Sequence, residues 1–219
     1  MTIAICSCPR LGFMSYMGHS IAAFINNGIE YTNVFGVYWG QAMTAGLKLA
    51  VDAGHEYIVT CDYDSLFDTE TVMQLMRLIE QNPHADAVTT MQMGRFSGIL
   101  LSTESGQITL EELKNNDLVK IKTGHFGLTV IRASSLKEVV KPWFTAECDS
   151  DGEWGDEKTD EDTYFWNNWE LCGKTLYVAP RLVIGHCELL VKYPDEHLQG
   201  IYTTTAHFDE FGKPSDCWK

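Results

Sequence analysis

Short apolar stretches alternate with amphipathic helices along the first 93 residues, and this alternation limits the possible folds more than any other feature. Stretches rich in β-branched and apolar residues predict strands over residues 2–6, 31–37, 57–61 and 85–93. The helical spacing of apolar residues between them predicts helices over residues 14–27, 41–53 and 69–81. Strands that alternate with helices favour an α/β fold, in which an open, mostly parallel central sheet carries helices on both faces.

The second half of the chain has a weaker pattern. Residues 94–116 indicate a hairpin or loop with a short helical turn near 110–113, and residues 189–219 have no strong period. Further strands are predicted at 119–122, 128–132, 175–178 and 183–185, and further helices at 134–140 and 163–171. Neither a repeat nor a linker interrupts the chain, so a length of 219 residues is interpreted as a single domain over residues 1–219.

Two carboxylates follow the predicted strand 57–61 directly, in the motif Asp62-Tyr63-Asp64. Ligands of open α/β sheets bind beyond the carboxyl ends of the strands. Two carboxylates there can meet a divalent cation, Mn²⁺ or Mg²⁺, together with the phosphates that it carries. Aspartate is also common in surface turns, so the motif alone is weak. Its place between a buried strand and a helix start favours a metal and phosphate site.

The charge and the cysteines exclude some classes of function. The net charge is −14, and a general nucleic-acid binder would carry a basic face instead. Nine acids and one lysine lie between Glu147 and Asp162, which indicates a solvated loop whose last members could serve chemistry. No apolar run reaches the roughly 18 residues of a membrane span. Seven irregularly spaced cysteines and no visible signal peptide lead us to expect a reduced, cytoplasmic protein.

The central part of the chain resembles glycosyltransferase family 2 and its GT-A relatives. The family pairs a helix of the form A-x-N-x-G-x-x-x-A with the sequence G-x-x-Y-I-x-x-x-D-x-D, and residues 41–50 and 54–64 are similar to these patterns. The family's N-P-x-x-D-x-V is matched by residues 82–88. The usual Arg-Asn of the helix is absent, because Met43 and Thr44 stand there. The resemblance implies a GT-A (Rossmann-like) domain, with a nucleotide-sugar half over about 1–93 and an acceptor and catalytic half over about 94–219.

The downstream motifs follow the family's order. Gly124-His125-Phe126-Gly127 is similar to the glycine-containing loop beside the donor sugar, and Asp160-Glu161-Asp162 is similar to the x-E-D motif at a helix start. The resemblance implies that Asp162 is the general base of an inverting reaction, with Glu161 next and Asp160 as a helix cap. Acids at a helix N-terminus also complement the helix dipole, so a purely structural role stays open. His186, after the last predicted strand, is implied to be a further metal ligand.

The resemblance also assigns ligand contacts. The first loop, with Cys8 and Arg10, occupies the place of the nucleotide base and ribose, and Arg10 could pair with phosphate. Cofactor contacts are therefore expected from Cys8, Arg10, Asp62, Tyr63 and the loop Gly124-His125-Phe126-Gly127. The metal ligands are expected to be Asp62, Asp64 and His186, with Asp64 the direct ligand and Asp62 in contact with ribose or a metal-bound water. Trp143 and Trp154 are candidates for an acceptor platform.

The prediction is therefore a metal-dependent, inverting glycosyltransferase. Its donor is expected to be a UDP-linked nucleotide-sugar, and its acceptor a small sugar, a glycan or a modified nucleotide or DNA base. A nucleotidyltransferase that makes a nucleotide-sugar is one alternative, although Pro9-Arg10-Leu11-Gly12 is a poor version of the Gly-rich, basic signature of that class. A non-catalytic nucleotide- or glycan-binding domain is the other.

Overall fold

The computed structural model describes residues 1–7, 14–94, 98–99, 101–102, 108–155, 158–187 and 190–217. The strands within these ranges are β1 (Thr2–Ser7), β2 (Glu30–Val34), β3 (Tyr57–Asp62), β4 (Ser65–Leu66), β5 (Ala87–Met91), β6 (Val119–Ile121), β7 (Leu128–Arg132), β8 (Leu176–Val183), β9 (Gly185–His186), β10 (Leu190–Pro194) and β11 (Gly200–Thr204). The helices are α1 (Met14–Asn26), α2 (Trp39–Asp52), α3 (Thr69–Gln81), α4 (Leu110–Asn115), α5 (Ala133–Leu136), α6 (Glu161–Leu171) and α7 (Thr205–Phe211).

A seven-stranded sheet in the order β2-β1-β3-β7-β5-β8-β6 forms the centre of the protein. Five strands run in one direction, whereas β7 and β6 run against their neighbours. The sheet is therefore mostly parallel, as the sequence predicts. Strand β3 pairs with β1 along its whole length, up to the pair Ser7 and Asp62. The carboxyl end of β3 thus delivers Asp62 to the middle of the sheet edge.

Both faces of the sheet are covered by helices. Successive residues of β3 point to opposite faces, as strand geometry requires. Ile58 belongs to the core that includes residues of α2 and α6, and Val59 belongs to the core that includes residues of α1 and α3. Both side chains are 0% exposed. Burial of a side chain of this size contributes about 1.5–3 kcal/mol, so β3 is a firm support for the residues that follow it.

The C-terminal part of the chain differs from the prediction. Strands predicted at 175–178 and 183–185 belong to β8 and β9, and β8 is one strand that continues through Pro180. The register of β8 against β5 shifts between the pairs of Thr89 and Met91, where β8 contains the proline, which has no N–H for a ladder. The tail, whose sequence has no strong period, forms the antiparallel pair β10–β11 and the helix α7. None of the described helices is long and apolar enough to cross a membrane.

Candidate active site

A short two-stranded sheet brings His186 to Asp64. Strand β4 follows the turn Tyr63-Asp64, and β9 pairs with it antiparallel, so that Ser65 lies opposite His186. The main-chain N–H of Cys187 donates a hydrogen bond of 2.7 Å to the carbonyl of Asp64. These backbone contacts place the imidazole of His186 beside the carboxylate of Asp64. Asp64 is only 4% exposed.

The Asp64 and His186 side chains form a polar pair. Nε2 of His186 lies 3.4 Å from Oδ2 of Asp64, and Nδ1 lies 2.9 Å from the main-chain oxygen of Met93. Because a carbonyl oxygen only accepts, Nδ1 carries the proton in this contact. In the neutral ring, the lone pair of Nε2 is then directed at the carboxylate. Histidines that bind metals commonly donate their other ring N–H to a carbonyl in this way.

Asp62 lies at the same edge and is strongly perturbed. Its Oδ1 accepts a hydrogen bond of 3.2 Å from Nε1 of Trp39, at the start of α2. Burial raises the pKa of Asp62 to about 7, and the neighbouring carboxylates of Asp64 and Asp162 add to the increase against the opposing effects of Trp39 and His186. A concentration of carboxylates in a partly buried place disfavours their joint ionisation and favours a cation.

Asp62→Asn is expected to stabilise the metal-free protein above about pH 7. The folded state keeps the Asp62 proton up to about pH 7, whereas the unfolded chain releases it near the ordinary value of 3.8. Between these values the folded state binds more protons, so the free energy of unfolding decreases as the pH rises. Asparagine has no proton to release in this pH range, so the variant does not lose stability in this way. Urea unfolding in EDTA across this pH range measures the difference between the variant and the wild type.

Asp68→Asn is the control with the opposite sign. Hydrogen bonds from the N–H and hydroxyl of Thr71 lower the pKa of Asp68, which caps α3. The charged form therefore stabilises the fold at neutral pH, and its removal should decrease stability there. Parallel pH profiles for wild type and Asp62→Asn would contradict the stated origin of the Asp62 shift.

The described residues do not contain a preassembled metal cage. No group of three or more His, Cys, Asp or Glu side chains among them is arranged to hold a metal ion. The pair of Asp64 and His186 nevertheless offers one carboxylate and one imidazole donor. Magnesium at nucleotide sites is bound by one or two carboxylates together with substrate phosphates, rather than by an all-protein cage. The donor set fits a cation that arrives with phosphates, and the predicted ligation by Asp62, Asp64 and His186 stays a prediction.

The side chains of the glycine loop are internal. His125 is 3% exposed, donates from Nε2 to the Thr90 carbonyl at 2.8 Å, and accepts at Nδ1 from the Gly127 N–H at 3.0 Å. Burial lowers its pKa to about 4, so the ring is neutral at physiological pH. Phe126 is 1% exposed and packs against Trp166 and other aromatic rings. Both side chains hold the loop in place, and all four residues of Gly124-His125-Phe126-Gly127 are buried, so the cofactor contact of this loop stays a prediction.

Gly127 is required by the protein's own packing. A Cβ at this position would lie 2.4 Å from Oε1 of Gln92 and 2.8 Å from Oγ of Ser65. The Gly127 carbonyl also accepts from the Asp62 N–H at 3.4 Å. The close approach that we expected toward a ligand is therefore made to Gln92 and Ser65, and it ties the loop to the aspartate motif. At Gly124, a Cβ would lie 3.2 Å from Cγ2 of Thr89.

The three acids at the start of α6 have different surroundings. Asp160 occupies the predicted N-cap position, but its side chain makes no cap hydrogen bond. Glu161 accepts at Oε2 from the main-chain N–H of Gly40 at 2.9 Å. Asp162 accepts from the N–H of Thr163 at 2.8 Å, and burial, helped by Asp160 and Glu161, raises its pKa. Asp162 is also close enough to raise the pKa of Asp62. Of the three, Asp162 has the surroundings of a base.

The remaining residues with predicted ligand contacts are Cys8, Arg10, Tyr63, Trp143 and Trp154. Cys8 and Arg10 lie outside the described residues. Tyr63 is partly buried and packs against the core that contains α1 and α3. Trp143 is only 4% exposed, so it does not form an acceptor platform, whereas Trp154 is 64% exposed.

Trp39 is the site residue that sequence reasoning missed. It lies two positions before the predicted helix start at residue 41, and no motif includes it. An indole N–H is a donor that usually finds a partner when it is buried, and this is the only signal in the residue type.

Comparisons with known proteins support the fold. No family model matches the chain, and no curated protein matches it significantly. A197 from STIV superposes with a TM-score of 0.54 over 81% of this chain and 80% of that chain, at 16% sequence identity. The crystal structure of GalNAc-T7 with UDP, GalNAc and Mn2+ matches 85% of this chain and 43% of that chain, at 13% identity and a TM-score of 0.47. A score this low supports no conclusion. The predicted α/β, GT-A-like fold is confirmed, and membership of family 2 stays a prediction.

Proposed function

We propose that the protein is a metal-dependent, inverting glycosyltransferase that moves a sugar from a UDP-linked nucleotide-sugar to an acceptor hydroxyl. The observation that carries this proposal is the convergence of two half-sites at the carboxyl end of β3. One is the pair of Asp64 and His186 beside Asp62, and the other is the half-buried carboxylate of Asp162 at the start of α6. The order of these motifs along the chain is that of GT-A relatives.

Asp64 and His186 would hold a divalent cation, Mn²⁺ or Mg²⁺, that carries the donor diphosphate. When bound, the cation supplies charge that stabilises the departing diphosphate. Asp62, which accepts a hydrogen bond from the Trp39 indole, would contact the ribose or a metal-bound water. The loop Gly124-His125-Phe126-Gly127 would lie beside the donor sugar, while the first loop with Cys8 and Arg10 would hold the base and ribose.

Asp162 would act as the general base. The acceptor oxygen forms a bond to the anomeric carbon as the bond from that carbon to the diphosphate oxygen breaks, and the acceptor proton passes to the Asp162 carboxylate. Burial raises the pKa of Asp162 toward the operating pH. A base whose pKa lies near that pH is still ionised but has a high affinity for the proton. Glu161, the second predicted catalytic acid, is engaged by Gly40 instead, so the proton transfer is assigned to Asp162 alone.

The acceptor and the compartment belong to the same proposal. A small sugar, a glycan and a modified nucleotide or DNA base each supply a hydroxyl for this chemistry. Cys148, Cys172, Cys187 and Cys217 are free thiols, in keeping with the reducing cytoplasm that we propose.

A thermal-shift panel of nucleotide-sugars, each with and without Mn²⁺, tests donor binding. A ligand at 100 times its Kd stabilises the folded state by about 2.7 kcal/mol. For a chain of this size that corresponds to an increase in Tm of about 5–10 °C. We expect the increase for one nucleotide-sugar, only with the metal. No shift with any member of the panel, with or without Mn²⁺, would contradict the proposal.

A further inference from the structure

The first turn of α2 is held from outside the helix. Tyr38 occupies the N-cap position, but its side chain makes no cap hydrogen bond. The first N–H groups of a helix lack partners within it. The Gly40 N–H finds one in Oε2 of Glu161 at 2.9 Å, although Glu161 lies 121 positions later, at the start of α6. A carboxylate at a helix N-terminus is also favoured by the helix dipole.

The Glu161 carboxylate lies directly against this turn. A Cβ on Gly40 would be 2.6 Å from Oε1 of Glu161 and 2.8 Å from Cβ of Phe144. Carbon atoms do not approach these neighbours so closely, so any larger residue would displace one of them. The absence of a side chain at Gly40 is thus what allows α6 to contact the start of α2.

The adjacent residue, Trp39, is directed at Asp62 by its packing. The indole ring lies edge-on to Phe126 and Phe144, with centroids 5.3 Å and 5.2 Å away. Its Nε1–H donates to Oδ1 of Asp62 at 3.2 Å. The aromatic neighbours hold the Trp39 ring, and the contact of Gly40 with Glu161 holds the adjacent backbone. The indole N–H is therefore directed at Asp62.

We propose that Glu161 and Trp39 are positioning residues. Glu161 holds the first turn of α2, and this turn directs the Trp39 indole so that it orients the Asp62 carboxylate. The inference rests on the proposed function in so far as Asp62 serves the donor. It connects the helix that carries Asp162 with the carboxylates after β3. A displacement of α6 would therefore alter the donor side of the site.

A conservative variant separates positioning from proton transfer. Glu161→Gln retains an oxygen that can accept from the Gly40 N–H, whereas Glu161→Ala removes it. Glutamine cannot replace a general base. If Glu161 only positions α2, Glu161→Gln should keep the Trp39 indole nearly as in the wild type, and Glu161→Ala should displace it.

The indole signals of a ¹⁵N-labelled protein test the contact without any ligand. The chain has six tryptophans, and Trp39→Phe identifies the Trp39 signal by its loss. We expect Glu161→Ala to move this signal and to speed its exchange with water by about 10-fold, and Glu161→Gln to leave it nearly in place. The Trp143 signal, whose N–H donates to the Val139 carbonyl, is the internal control. If Glu161→Ala fails to fold, Gly40→Ala displaces the same carboxylate and should move the same signal.

Binding of Mn²⁺ with UDP, measured by calorimetry, tests the consequence. Loss of a residue that orients a metal-site group typically costs about 10–100-fold in affinity, and we expect Trp39→Phe to lose about 10-fold. An unmoved Trp39 signal in both Glu161→Ala and Gly40→Ala would overturn the positioning inference, whatever the protein binds. Equal binding by wild type and Trp39→Phe would overturn it as well. Failure of the wild type to bind any nucleotide would contradict the proposed function, and the indole signals would still decide the role of Glu161.

Discussion

Replacing Asp64 with asparagine is expected to weaken Mn²⁺-dependent UDP binding by more than about 100-fold, beyond the 10–100-fold typical of outer groups at metal sites. The reason is its position: Asp64 is 4% exposed, and Oδ2 lies 3.4 Å from Nε2 of His186. These two side chains are the proposed metal donors of the site. The amide group of asparagine has the shape of the carboxylate but lacks the charge that attracts a divalent cation. Calorimetric titration of UDP with and without Mn²⁺ measures the loss.

Asp68→Asn is the matched control for this experiment. Asp68 lies four residues after Asp64, is exposed, and caps α3 through the Thr71 N–H. Asparagine is also a good cap, so the protein should stay folded, although its stability at neutral pH should decrease. Nucleotide binding should remain at the wild-type level. If Asp64→Asn bound UDP and Mn²⁺ as tightly as Asp68→Asn, the metal role of Asp64 would be wrong.

Asp162→Asn is expected to lower the rate of sugar transfer by about 10²–10⁴-fold, which is the usual contribution of a general base. The dissociation constant of the donor should stay within about 2-fold of wild type, because Asp162 would act on the acceptor proton and not on the diphosphate. In the wild type, burial raises the pKa of Asp162. The transfer rate should therefore increase with pH as this carboxyl loses its proton, and the variant should lack that part of the profile.

Asp160→Asn is the control from the same motif. Asp160 lies at the N-cap position of α6 and makes no cap hydrogen bond with its side chain. Its substitution should leave the transfer rate within about 3-fold of wild type, because no hydrogen bond to the helix is lost. Initial rates at saturating donor compare the two variants. Full transfer activity of Asp162→Asn would exclude the proposed base.

The parts of the site that follow a strand or start a helix could be predicted from the sequence. Strand β3 is apolar and the helix after it has a clear stripe, so the position of Asp62-Tyr63-Asp64 at the sheet edge follows from local pattern alone. The start of α6 after Asp160 is predictable for the same reason, because acids are favoured in the first turn of a helix. His186 was placed by motif order, and the pairing of β4 with β9 brings it to Asp64.

Contacts between distant side chains could not be predicted. The sequence around Trp39 contains no sign that its N–H reaches Asp62, 23 positions away. His125 belongs to a motif whose relatives suggest ligand contact, but its ring is buried, and the Thr90 carbonyl and the Gly127 N–H satisfy both nitrogens. Glu161 shows the same limitation, since the partner of its carboxylate, Gly40, was identified only by the packing of α6 on α2.

The C-terminal elements show why weak periodicity misleads. In β10, exposed and half-buried residues alternate, so no strong apolar face marks the strand. The turn that joins β10 to β11 depends on Asp195, whose carboxylate accepts from the N–H groups of His197 and Gln199. Such side-chain contacts with nearby backbone stabilise a turn without any hydrophobic signal.

The products formed from a nucleotide-sugar test the central claim most directly. The donor selected by the thermal-shift panel is incubated with the protein, Mn²⁺ and an acceptor mixture of sugars, glycans and modified nucleosides, and the phosphorus products are separated by anion-exchange chromatography. Our account predicts release of the nucleoside diphosphate, dependent on Mn²⁺ and lost in Asp64→Asn. Donor binding without any nucleoside diphosphate release, or exchange of pyrophosphate into a nucleoside triphosphate, would contradict glycosyl transfer.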